Sequence, residues 1–201
     1  MGRLARSQIL YDGCYAHVFT RSLEKCRIFE DADDFEQFAR ILLKLKGEHD
    51  FRIFHYCLMN THFHLAVGIG SVERFSRAMQ AVKWAYTRQF NRKYQHIGPL
   101  WRERFKSLLI ENEGYLWACG QYIEQNPVKA KLVIKPWQWA YSSAQHHLGL
   151  SKDALVDSYE KSQTIDGIDL NDDVFFIRGG AIGSGWFKYQ IREGIWVSPK
   201  R

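Results

Sequence analysis

The stretch FRIFHYCLMNTHFHLAVGI, residues 51–69, decides the fold. It holds two runs of apolar and aromatic residues with only Asn60 and Thr61 between them, the pattern of a tight β-hairpin. Successive side chains on an extended strand point to opposite faces. His62 and His64 therefore stand side by side, while Phe63, Leu65 and Val67 face the other way. One face of the second strand is suited to a core, and the other presents two imidazoles.

Upstream, CYAHVFTR (residues 14–21) reads as a first strand. In DADDFEQFARILLKLKGEHD (31–50), Asp31 can cap a helix whose Phe35, Phe38, Leu42 and Leu45 recur at helical spacing. Downstream, SVERFSRAMQAVKWAYTRQFNRKY (71–94) carries Phe75, Ala78, Met79, Val82, Tyr86 and Phe90 on one stripe and most of its arginines off it. After the HIGPLW loop, RERFKSLLIE (102–111) reads as a fourth strand. Asn112 then caps EGYLWACGQYIEQ, a helix with Leu116, Cys119 and Ile123 facing inward and Pro127 expected to stop it. The order βαββαβα predicts an α+β ferredoxin-like sandwich, a four-stranded antiparallel sheet with helices packed on it. A docked turn and short helix in PWQWAYSSAQHHLGL (136–150) would close a domain of residues 1–150.

From 151 the composition changes. Residues 151–201 hold seven Lys and Arg against eight Asp and Glu, a net −1, so the first 150 residues carry +7 of the overall +6. This extension, 151–201, is expected to add a helix or hairpin docked on the main domain. Its glycines do not form the G-x-G-x-x-G of a dinucleotide site. A basic, aromatic-rich domain suits a nucleic-acid partner. No apolar run is long enough to span a membrane, and the basic N-terminus lacks the apolar segment of a secretory signal, so a cytoplasmic protein is expected. The four cysteines, scattered without C-x-x-C, are expected to be reduced and unpaired.

Two stretches carry chemistry. The His62–His64 pair could supply two ligands to a divalent metal but is not a complete site, because an open catalytic site takes a third protein ligand; a purely structural pair is the plainer reading. In QYIEQNPVKA (121–130), Tyr122 and Asn126 are four apart and share a helix face. They present either a phenol and an amide together, or a packed aromatic and a C-cap.

HFHL resembles the His-hydrophobic-His signature of the HUH endonucleases, and YIEQNPVKA resembles the tyrosine helix of the single-tyrosine, IS200-like HUH transposases, most closely the REP-associated group. The likeness runs over residues 11–148 and includes HVFTR, LWRERF and WAYSS. The family has Met-Pro-Asn before the first histidine, where this chain has Met59-Asn60-Thr61. The resemblance implies metal-dependent nicking and rejoining of single-stranded or hairpin DNA through a 5′-phosphotyrosine. It makes Tyr122 the nucleophile and His62, His64 and Asn126 the ligands of a divalent metal, Mg or Mn. A homodimer is one arrangement such transposases adopt. Arg21, Arg77, Arg88, Arg102, Arg104 and Lys106 are the candidates for phosphate contacts, and Trp101, as an exposed aromatic, for base stacking. Two other readings remain at this level. One is a catalytically silent nucleic-acid-binding module in which Phe54 or Tyr56 stacks bases; the other is a zinc hydrolase using the same histidines.

Overall fold

The computed structural model describes residues 9–158 and 181–184. In chain order come β1 (Tyr15–Arg21), α1 (Ala32–Glu48), β2 (Phe51–Met59), β3 (His62–Ile69), α2 (Val72–Tyr94), β4 (Lys106–Ile110) and α3 (Glu113–Glu124), the βαββαβα order. Two single-turn helices, α4 (Asn126–Lys129) and α5 (Ala144–His147), and a short strand β5 (Ala181–Ile182) follow. The caps are local. Asp31 and Asp34 form a reciprocal capping box, Ser71 accepts from the Arg74 N–H, and Asn112 accepts from the Tyr115 N–H.

The sheet runs β2-β3-β1-β4-β5. Its first four strands are antiparallel, as expected. The fifth is a correction to the four-stranded expectation: β5 lies parallel to β4, with Leu109 opposite Ala181. A two-residue strand has no periodicity to read. The fourth strand also begins later than expected, at Lys106. Leu100–Arg102 instead pair with the end of β1, through Leu23 N–H to Leu100 O (3.0 Å) and Arg102 N–H to Arg21 O (3.1 Å). Pro127 does not simply stop α3 but sits in the first turn of α4, where its missing N–H costs nothing.

Helices cover both faces. Phe63, Leu65 and Val67 of β3, with Ala16, Val18 and Leu109, bury against Phe38 and Leu42 of α1 and Met79, Val82 and Tyr86 of α2. On the other face Cys57, Ala66, Leu108 and Ile110 meet Leu116, Cys119 and Ile123 of α3. Because side chains alternate, this second face is the one bearing His62 and His64. A bulge in β2 between Ile53 and His55 turns two successive residues, Phe54 and His55, toward α3.

The outer sides of β2 and β4 are each partly paired. The outer side of β2 bonds to residues 141–143 and to Asp157, through Leu58 N–H to Tyr141 O (2.9 Å) and Asp157 N–H to Ile53 O (2.7 Å). The outer side of β4 is taken by β5. Such pairing shortens the bare edges that drive aggregation. Residues 151–158 add Asp153, which accepts from the Tyr56 hydroxyl (2.5 Å), and Asp157, paired with Lys46 (2.9 Å). Cys14, Cys26, Cys57 and Cys119 are free thiols. No helix among the described residues is long and apolar enough to cross a membrane.

Candidate metal and tyrosine site

The hairpin sets the two imidazoles side by side, with ring centroids 5.1 Å apart and planes at 86°. Each has its Nδ1 engaged: His62 Nδ1 with Thr61 Oγ1 (2.9 Å), His64 Nδ1 with Nε2 of His17 on β1 (2.9 Å). Among the described residues neither Nε2 has a hydrogen-bond partner, so each is left to offer a ligand. Burial, reinforced by the Arg21 charge, lowers the His62 pKa to about 4. Burial also holds His64 well below the usual histidine range, with His17, His62 and Arg21 adding to the effect. Neutral imidazoles with free lone pairs are the form that binds a cation, so this pair fits a divalent metal.

The tyrosine comes from α3. Glu113 at its first turn accepts from the Tyr15 hydroxyl (2.9 Å) at one end of β1, and the helix crosses the His-bearing face of the sheet. Gly120 permits a close approach, since a Cβ there would overlap the buried His55 ring. Glu124 turns toward β2, where its carboxylate meets His55 Nδ1 (2.9 Å). Tyr122, two residues earlier and so about 200° round the helix, lies on the opposite flank, away from β2. It is half-buried, and Lys129 Nζ stands 3.8 Å from its ring centroid. Asn126 donates its amide N–H to the carbonyls of Ile123 (2.9 Å) and Tyr122 (3.2 Å), closing the helix end. Its amide oxygen takes no part in these bonds and is the atom it could offer to a cation.

The basic residues divide between layers. Arg21 and Lys106 share the sheet face of the histidines by strand alternation: Arg21 is opposite His62, and Lys106 is one strand beyond Phe19, which is opposite His64. Arg102 is drawn beside Arg21 by backbone pairing, and Arg104 is exposed in the same segment. Lys106 also pairs with Glu103 (2.6 Å). Arg77 and Arg88 belong to α2, on the other side of the sheet; Arg77 pairs with Glu73, and Arg88 lies over the exposed Trp84 ring (4.7 Å). Trp101, expected to be an exposed stacking platform, is instead half-buried against Phe38, Phe63 and Tyr86, with its N–H donated to Thr87 Oγ1 (2.9 Å). Phe54 and Tyr56 are buried and present no face to a base.

Sequence reasoning missed His17, His55 and His147. His55, Glu124 and His147 bring ligand atoms within 4.8 Å of one another and could hold an ion. In this structure they form a bonded network. Glu124 Oε1 also accepts from Ser143 Oγ (2.6 Å), and His147 Nε2 donates to Phe54 O (2.9 Å). The His55 and His147 rings stack at 4.1 Å and 28°. Burial pushes the Glu124 carboxyl up, but His55 and Ser143 outweigh it and hold it below the usual value. A third acidic group, Asp31, Asp33 and Asp34, is already filled by the Lys93 ammonium at 2.8–3.2 Å.

The class of protein follows from the family to which the sequence compares: transposases, which are DNA-processing enzymes. Residues 10–126 match the family described as Transposase IS200 like, and the chain belongs to that family. A solved REP-associated tyrosine transposase bound to a REP hairpin shares the fold, with TM-score 0.61 and 16% identity over 80% of this chain and 100% of that one. A putative transposase from Deinococcus radiodurans aligns with TM-score 0.42 and 18% identity over 62% of this chain and 97% of its own. No curated protein matches.

Proposed function

We propose that this transposase nicks and rejoins single-stranded or hairpin DNA with Tyr122 as nucleophile and a divalent cation, Mg or Mn, held by His62, His64 and Asn126. The observation that carries the reading is that α3, which bears Tyr122, packs on the sheet face where both imidazoles leave Nε2 free. The likeness to a transposase bound to hairpin DNA supports the choice of substrate.

Ionising a tyrosine of pKa about 10 at neutral pH costs roughly 4 kcal/mol. A bound cation supplies Lewis acidity toward a non-bridging phosphate oxygen, offsetting charge as it builds. The Lys129 ammonium stands over the Tyr122 ring, where a cation is drawn to the aromatic face. Attack forms the Tyr122 O–P bond and breaks the bond to the 3′ oxygen, which leaves as a hydroxyl. The phosphotyrosine conserves the bond energy, so rejoining needs no nucleotide cofactor. Arg21, Arg102, Arg104 and Lys106 are the phosphate contacts of this reading, near the histidines; Arg77 and Arg88 would meet DNA only where it wraps to the α2 layer.

The test is a denaturing gel of labelled oligonucleotides copied from the DNA flanking the coding region, with Mg or Mn. A covalent adduct is expected in the unaltered protein and absent in Tyr122→Phe and in His62→Ala/His64→Ala. An adduct that persists in Tyr122→Phe assigns the nucleophile elsewhere. DNA binding without any cleavage would support the silent binding module, whose proposed stacking residues Phe54 and Tyr56 are buried.

A further inference from the structure

His17 lies at the centre of β1, fully buried, with Nε2 2.9 Å from Nδ1 of His64 and the two rings stacked at 5.1 Å and 20°. We infer that His17 is a positioning residue that fixes the tautomer of His64 so that its Nε2 lone pair faces the cation site. This inference rests on the metal reading of His62 and His64 given above.

One hydrogen bond between two neutral imidazoles has two proton arrangements. If His17 donates, His64 must carry its own proton on Nε2 and cannot ligate through that atom. If His64 donates from Nδ1, its Nε2 is a lone pair; His17 then accepts on Nε2 and carries its proton on Nδ1. Only the second arrangement leaves His64 competent. Metal-ligating histidines depend on such an outer partner for ring orientation and basicity, and its loss typically lowers metal affinity about 10–100-fold. The neighbouring ligand has a different partner: His62 Nδ1 meets the side chain of Thr61, a rotatable hydroxyl on the hairpin turn that can donate or accept. The rigid, buried constraint therefore falls on His64 alone.

The experiment has two arms. Long-range 15N–1H correlation of the histidine side chains in the metal-free, unaltered protein should show His64 protonated at Nδ1; protonation at Nε2 overturns the assignment whatever the protein does with metal. Mn2+ titration followed by electron paramagnetic resonance, without DNA, should show about 10–100-fold weaker binding in His17→Leu. Binding should be largely restored in His17→Gln, whose amide oxygen can occupy the Nε2 position and accept. A folded His17→Leu with unaltered Mn2+ affinity also overturns it. His62→Ala/His64→Ala is the separate control: if that protein binds Mn2+ as the unaltered one does, the cation site itself is misplaced, while the tautomer arm still decides His17.

Discussion

Gly120 of α3 lies against the ring of His55 so closely that a side chain at 120 would occupy the same space. His55 cannot retreat, because it is fully buried and bonded to Glu124. Gly120→Ala should therefore destabilise the protein by about 1–3 kcal/mol, the usual cost of overpacking. Gly47→Ala, in α1 with nothing within 4 Å, should instead stabilise by about 0.5–1 kcal/mol. Chemical denaturation of the two variants should separate them in sign. Equal effects would mean that α3 does not seat on β2 as described.

Lys129 brings a positive charge to the ring of Tyr122. Lys129→Met keeps the stem and removes the ammonium from the Tyr122 ring. The rate of adduct formation at neutral pH should fall roughly two- to fivefold, the modest size expected of a solvent-exposed charge. Lys129→Arg, which keeps the charge, should stay close to unaltered. An unaltered rate in Lys129→Met removes Lys129 from the account.

Stability should fall in mild acid. Burial lowers the pKa of His17 from the ordinary 6.5 to about 3, and of His62 to about 4. Below about pH 6.5 the unfolded chain takes up protons that the folded protein refuses. The stabilisation is thus complete above pH 6.5 and is lost as pH falls toward about 4 for His62 and about 3 for His17. Each histidine contributes about 1.4 kcal/mol per pH unit once the unfolded form is protonated, and His64 acts in the same direction. Urea unfolding at pH 7.5, 6 and 5 reads this slope. His62→Asn should make it shallower, and a flat profile would show these rings to be solvated.

Removing everything after Leu150 strips β5 from β4 and Asp157 from β2, and deletes the buried Leu155 and Val156. Those two side chains alone are worth about 3 kcal/mol or more. The truncated protein should melt lower and self-associate through its bared edges, as light scattering after size exclusion would report. A stable monomer would contradict this.

The hairpin was legible because a two-residue turn and strict alternation leave little freedom, and the same alternation placed His62 and His64 on one face. The amphipathic stripes of α1 and α2 and the cap at Asn112 were readable for similar local reasons. His55 was not, since alternation alone assigns it to the face of Ile53 and only the bulge turns it to α3. His17 was visible as a strand residue, yet its meeting with His64 depends on the pairing of β1 with β3, which no local pattern encodes. The charges of Arg77 and Arg88 were equally plain. The layer they occupy was not, because it depends on which face of the sheet α2 covers.

The pairing of Leu109 with Ala181 joins residues 72 apart along the chain. During synthesis at about 5–20 residues per second, β4 emerges roughly 4–15 s before the strand that covers it. A nascent copy therefore offers a bare β-edge to neighbouring polysomal copies throughout that interval. Its yield in a cell should depend on translation rate and chaperone supply even where the finished molecule is stable.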